Sequence, residues 1–155
     1  MLNTPDVRAM WQLGSPVTPA DTRRFLSEFY RVAGDPDPVT TIQSFATRQS
    51  LLRAWGQFQQ QYPLIVATIC TDLRLEAGTD LDEGRVAATI RSMRMAMAVN
   101  ALGLPAVALP VGVGGGLPQA VQVICPGYRE DLCLAAAAAL EDRVGTITPI
   151  DPRWR

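Results

Sequence analysis

Apolar positions along the chain fall into blocks whose period changes, and those changes mark the predicted elements. Near the start, Thr4, Pro5 and Asp6 have the order of a cap and a first helical turn, and Gly14 supplies a stop. A short helix is predicted between them. Thr18 and Pro19 repeat the signal, Phe25, Leu26, Phe29, Tyr30 and Ala33 return at helical spacing, and Gly34 closes this second helix. Asp35-Pro36-Asp37-Pro38 then reads as a loop. From about Val39 to Gln61 the pattern predicts a longer helix with Leu51, Trp55, Phe58 and Tyr62 down one side and Arg48, Arg53, Gln57 and Gln60 elsewhere. Pro63 ends it.

Leu64 to Ile69 is a short, β-branched apolar run bounded by proline and polar residues, the pattern of a fully buried strand. A polar loop through Asp72, Arg74, Glu76, Gly78 and Asp80 follows. It leads to a helix predicted over Asp82–Leu102, with Val86, Ile90, Met93 and Met97 on one face and Gly103 as its C-cap. The methionines read as core rather than as a binding groove. No charged residue occurs between Arg94 and Arg129, yet Pro105, Pro110, Pro118 and the tract Gly112-Val113-Gly114-Gly115-Gly116 would strand backbone groups in lipid. Two buried strands, Ala106–Leu109 and Ala120–Ile124, joined by a glycine-rich connection, account for the block better than a membrane span. The last helix, about Arg129 to Arg143, has acidic residues at its start and Gly145 beyond its end. It is apolar all round from Leu132 to Leu140, which predicts cover on both sides.

Composition narrows the chemistry. The 155 residues suit one domain, nearly half are hydrophobic, and a net charge of -1 gives no reason to expect nucleic acid. There is no His, and all fourteen basic residues are Arg. That excludes imidazole-activated nucleophiles, HExxH zinc sites, Schiff-base lysines and the lysine of a phosphate-binding loop. Cys70, Cys125 and Cys133 are scattered singly and read as buried thiols in a reducing compartment. The first eight residues carry no signal-peptide pattern, so the cytoplasm is the expected location.

Individual residues offer little to set against this. The glycine tract is followed by Leu117 and Pro118 rather than a lysine and a helix start, so it reads as a turn. The acidic residues Asp35, Asp37, Asp72, Glu76, Asp80, Asp82, Glu83, Glu130, Asp131, Glu141 and Asp142 stand in loops or at helix ends, where solvation and capping explain them. Ser15, Ser27, Ser44, Ser50 and Ser92 lie singly, none in a nucleophile elbow. Arg94 and Arg129 could hold a substrate carboxylate. For Arg129, a local ion pair with Glu130 or Asp131 is the more ordinary reading.

One stretch carries a family resemblance. Asn100-Ala101-Leu102-Gly103-Leu104-Pro105-Ala106-Val107-Ala108-Leu109-Pro110-Val111-Gly112 resembles the N-x-x-G-L-P-A-hydrophobic-P-x-G segment in the C-terminal region of amidase-signature enzymes. Gly116 to Ile124, with Gln122, is similar to the strand that follows it. Tyr128 to Glu141 is similar to the family's last helix, and Thr148-Pro149-Ile150-Asp151-Pro152-Arg153-Trp154 to a common ending. The match is specific over about 98–154, fair from Trp55 through the strand after Pro63, and loose before residue 50. It departs at Thr68 and Ile69, where family members often carry a proline.

The resemblance implies an α/β fold, the C-terminal part of the amidase-signature fold, with a mixed sheet flanked by helices and incomplete as it stands. A helical segment over 1–61 would lead into an amidase-like α/β segment over 62–155, together one partial domain. The resemblance also implies hydrolysis of carboxylic amide C–N bonds through a Ser, cis-Ser, Lys triad. None of that triad can be placed, because the family's lysine and its Gly/Ser-rich nucleophile segment lie in the N-terminal half and this chain has no lysine. Catalytic residues are therefore expected to be none and substrate-binding residues stay unassigned; no cofactor, metal, nucleic acid or membrane is expected. A small-molecule amide becomes a partner only where the catalytic half is supplied, and that N-terminal half, or further copies of the chain, is the expected protein partner. The chain is then a fragment, a remnant or one part of a divided enzyme. The alternative is a non-catalytic interaction module that retains the half-fold.

Overall fold

A computed structural model describes residues 19–34, 36–72, 76, 78–79, 82 and 84–145. The helix predicted between Thr4 and Gly14 and the tail from Thr148 lie outside the described residues. The chain divides into two compact units, Met1–Ser50 with Thr71–Arg94, and Leu51–Cys70 with Met95–Arg155.

In the first unit, helix α1 (Ala20–Ala33) closes as predicted: Gly34 adopts φ 74 and its N–H reaches Tyr30 O. Phe25, Leu26, Phe29 and Tyr30 make its half-buried side, with Phe29 and Tyr30 meeting edge to face. Helix α2 (Pro38–Gln61) opens in this unit. Asp37 is its cap, the carboxylate accepting the N–H groups of Val39 at 2.8 Å and Thr40 at 3.0 Å and the Thr40 hydroxyl at 2.7 Å. Pro38 occupies the first helical position, where the missing N–H costs nothing.

The single helix predicted over Asp82–Leu102 is two, α3 (Val86–Ser92) and α4 (Arg94–Leu102). The interruption coincides with a long-range contact. Ser92 O accepts both the N–H of Thr71, at 2.9 Å, and its hydroxyl, at 3.3 Å, drawing off a carbonyl that a continuous helix would use. Met93 leaves the helix at φ −88, ψ 8. At the other end Asp82 forms a turn, accepting Gly84 N–H on its side chain and Arg85 and Val86 N–H on its carbonyl, so the helix begins at Val86. Val86, Thr89 and Ser92 form its buried face.

The second unit is built on three strands, β1 (Ile65–Thr68), β2 (Ala106–Gly114) and β3 (Leu117–Ile124), in the order β1-β3-β2 and antiparallel throughout. The described sheet is thus antiparallel rather than the mixed sheet that the resemblance implied. Its polarity follows from a two-residue hairpin: Gly115 and Gly116 take φ 59 and 79, the doubly left-handed turn that matches strand twist. Both hairpin strands are longer than the predicted Ala106–Leu109 and Ala120–Ile124, and take in Pro110 and Pro118. Pro110 is accommodated because β2 is an edge strand with a bulge between Pro110 and Gly112, and Pro118 because β1 pairs only with residues Val121–Ile124.

β1 is not the fully buried strand predicted. It forms the other edge of the sheet, alternating half-buried Ile65 and Ala67 with Val66, which is 60% exposed, and Thr68. Helix α5 (Glu130–Val144) lies on one sheet face. Cys133 is buried against Val123 and Cys125, with Val107, Leu132, Ala136 and Leu140 packed around them. The expected cover on both sides is not found among the described residues, since Leu134 on the opposite side is 65% exposed. The apolar run there consists mostly of alanines, whose small side chains expose little area per residue.

Candidate functional site

The segment that carries the family resemblance performs identifiable structural tasks. Gly103, at φ 69, ends α4; its N–H bonds to Asn100 O and that of Leu104 to Val99 O, each at 3.1 Å, the paired closure of a Schellman motif. Pro105 O then accepts the N–H of Cys125 at 3.0 Å, docking the start of β2 against the end of β3. Gln122 is a buried polar residue between two valines, and its Nε2 donates to Thr68 O at 3.0 Å, fastening β1 to the central strand. Gln122→Ala is expected to destabilise the chain by about 1–2 kcal/mol, because the buried side chain and its hydrogen bond from the central strand to β1 are both lost. Urea unfolding would check this, with Val66→Ala on the exposed side of β1 as the near-neutral comparison.

Beyond Gln122, cross-strand register places Ile65, Ile124 and Ala106 on the sheet face opposite α5. There, Ile65 and residues Leu51, Ala54, Trp55 and Phe58 of α2 line an open apolar cavity of about 360 Å³. The helical spacing read from the sequence places these side chains together. The Phe58 and Tyr62 rings extend the surface, with centroids 5.0 Å apart. Gln59, one turn beyond Trp55, is buried with Nε2 lacking a hydrogen-bond partner among the described residues. The cavity can take an apolar or aromatic group, since its described lining residues are all aliphatic or aromatic.

Several of the residues that could carry chemistry are engaged locally. The hydroxyls of Ser27, Ser44, Ser50 and Ser92 donate to backbone carbonyls of Arg23, Thr41, Ala46 and Thr89, three or four residues back on their own helices. Ser15, Asp35, Asp80 and Glu83 lie outside the described residues. Glu76 pairs with Arg85 at 3.7 Å. Arg129 grips Asp131 with both ends of its fork, at 2.8 and 2.9 Å, an exposed local pair of small energetic weight. That hydrogen bond holds the Asp131 carboxyl below its usual range. Arg94 is exposed at the start of α4. Among the described residues no group of three or more His, Cys, Asp or Glu is gathered to hold a metal ion.

Asp37 is the titrating group with the clearest consequence. Its carboxyl is held below the ordinary 3.8, chiefly by the Thr40 hydroxyl and then by the Thr40 N–H. A lowered folded-state value stabilises the chain above the ordinary carboxylate range, and that contribution is lost as pH falls through the depressed value. A carboxyl titration followed by NMR is expected to give a midpoint below 3.8, moving back up in Thr40→Ala.

The cysteines differ from the sequence reading. Cys125 and Cys133 are joined as a disulfide with Cα atoms 5.8 Å apart, and Cys70 remains a half-buried thiol. The two cysteines stand eight positions apart in the sequence, across a turn. Sequence spacing alone contains no sign that the end of β3 meets the first turn of α5.

The described residues define an α/β scaffold carrying an apolar groove. No family model matches the chain, but individual proteins do. Indoleacetamide hydrolase from Bradyrhizobium diazoefficiens is 30% identical over 164 aligned residues, covering 94% of this chain and 31% of that protein. 6-Aminohexanoate-cyclic-dimer hydrolase from a Pseudomonas strain is 40% identical over 75 residues, covering 45% and 15%. A glutamyl-tRNA(Gln) amidotransferase subunit from Streptococcus equi is 36% identical over 94 residues, covering 61% and 19%. These relatives are amidase-signature proteins, and the chain belongs with them to that family. It spans about a third of the length of the indoleacetamide hydrolases it matches. Among the described residues, no helix is long and apolar enough to cross a membrane.

Proposed function

We propose that this chain forms part of an amide hydrolase, supplying scaffold and one apolar wall of a substrate pocket while the groups that cleave the C–N bond lie outside these 155 residues. The carrying observation is a contrast. The chain aligns over 94% of its length with a hydrolase of a carboxamide, yet it has neither lysine nor histidine. Its described serines, moreover, spend their hydroxyls on their own helices. A small-molecule amide with an apolar or aromatic portion suits the groove beside Trp55 and Phe58. Gln59 Nε2, buried and without a hydrogen-bond partner among the described residues, supports the same reading, because such a donor is costly unless a ligand or further polypeptide completes it.

The experiment has two arms. The purified chain is expected to release no ammonia from a panel of carboxamides. A chimera in which it replaces the matching third of the Bradyrhizobium diazoefficiens indoleacetamide hydrolase is expected to hydrolyse amides. Turnover by the chain alone, lost on replacing one serine, would overturn the proposal, as would a folded chimera that is inert. The second reading, an interaction module, draws on the exposed edge of β1 with Leu64 and Val66. An inert, folded chimera would favour it.

A further inference from the structure

Cys125 and Cys133 have no part in that reading, and their surroundings suit two oxidation states. Cys125 follows the last residue of β3, Cys133 is the fourth residue of α5, and both are buried. A Cα separation of 5.8 Å is one that a disulfide spans without moving the backbone. Yet Cys133 Sγ also lies 3.5 Å from the carbonyl oxygens of Pro105 and Val123, so a protonated thiol at this position has acceptors in the same geometry. The thiol pair expected from the sequence and the bond seen in the structure both fit.

The turn between the cysteines supplies a way in. Gly127, Tyr128 and Arg129 are exposed, and Tyr128 is 95% exposed at φ 63, a conformation that an aromatic residue seldom adopts. Such a turn has few buried contacts to lose and belongs to the part of a fold that opens locally.

We infer that Cys125 and Cys133 form a reversible thiol–disulfide clamp, which when oxidised locks the start of α5 onto the end of β3 and when reduced leaves that corner free to open. The co-reactant is a small disulfide of the glutathione type. Cys133, as its thiolate, attacks one of its sulfurs and expels one thiolate. Cys125 then attacks Cys133 Sγ in the mixed disulfide, expelling the second. Two electrons and two protons pass from the cysteine pair to the co-reactant, which leaves as two thiols, and a dithiol reductant reverses both steps.

The test uses the full chain carrying Cys70→Ser, so that two thiols remain, treated with oxidised glutathione and digested with trypsin without reduction. Cleavage at Arg94, Arg129 and Arg143 puts the cysteines on separate peptides, Met95–Arg129 and Glu130–Arg143. The expected result is that these peptides are joined, two hydrogens lighter than their sum, and that dithiothreitol parts them in the native chain. Oxidation is expected to raise Tm by on the order of 10 °C. It is also expected to slow amide exchange over residues 126–133. Peptides that stay separate, a bond that resists dithiothreitol, or equal Tm values in the two states would overturn the inference. A Cys125→Ala, Cys133→Ala variant is expected to melt alike with and without oxidant, and a rise in its Tm would count against the clamp. Should that variant not fold, the measurements on the natural pair decide.

Discussion

Ile124→Ala is expected to cost about 2–5 kcal/mol of stability, the range for removing a large aliphatic side chain from a core. Ile124 is wholly buried, at 0% exposure, on the central strand, with Ile65 opposite on β1 and Ala106 opposite on β2. Ala106 has no atoms with which to fill the space, and the hydrogen-bonded ladders on both sides keep β3 from collapsing inward. A fall in the urea midpoint at constant slope is the expected signature. A loss below about 0.5 kcal/mol, the level of an ordinary surface change, would show that the end of β3 is not the core of this unit.

The second large effect is expected at the hairpin. Gly115→Val with Gly116→Val places two β-branched residues at φ 59 and 79. Since the left-handed region costs an L-residue about 1–2 kcal/mol, the pair should lose roughly 2–4 kcal/mol. The cost is conformational and not steric for Gly116, because a Cβ added there meets nothing within 4 Å. Gly112 separates the two causes. It also has open space around it but no positive φ, so Gly112→Ala is expected to leave stability within about 0.5 kcal/mol of the natural chain. Equal losses at the two sites would contradict this account of the turn.

Much of this was legible in the residues, and what was not had specific causes. Helices α1 and α2 follow from caps, spacing and punctuation, all local properties. The closing roles of Gly34, Gly103 and Gly145 follow in the same way, from chain ends that require positive φ. The break at Met93 could not be read from the sequence, because it depends on Thr71 reaching Ser92 from more than twenty residues away. Continuous apolar content misled at β1 and at α5. Composition reports how much apolar surface a segment carries, but an edge strand and a helix covered on one side reveal themselves only when neighbours are placed. The predicted hairpin strands were too short for a related reason, since an edge strand with a bulge tolerates a proline that a central strand does not. At the site, helical spacing placed Leu51, Trp55 and Phe58 on one side of α2, but that they border a groove with Ile65 is a tertiary fact. The fastening role of Gln122 and the meeting of Cys125 with Cys133 are tertiary facts.

The two prolines of the hairpin have a consequence for how this protein meets other chains. Pro110 on β2 and Pro118 on β3 each withdraw a backbone donor, so a foreign strand arriving at that end finds an interrupted template. Ile65–Thr68 has no such guard. Any growth of the sheet, through misassembly of copies at high concentration or through a strand contributed by more polypeptide, should begin at that margin.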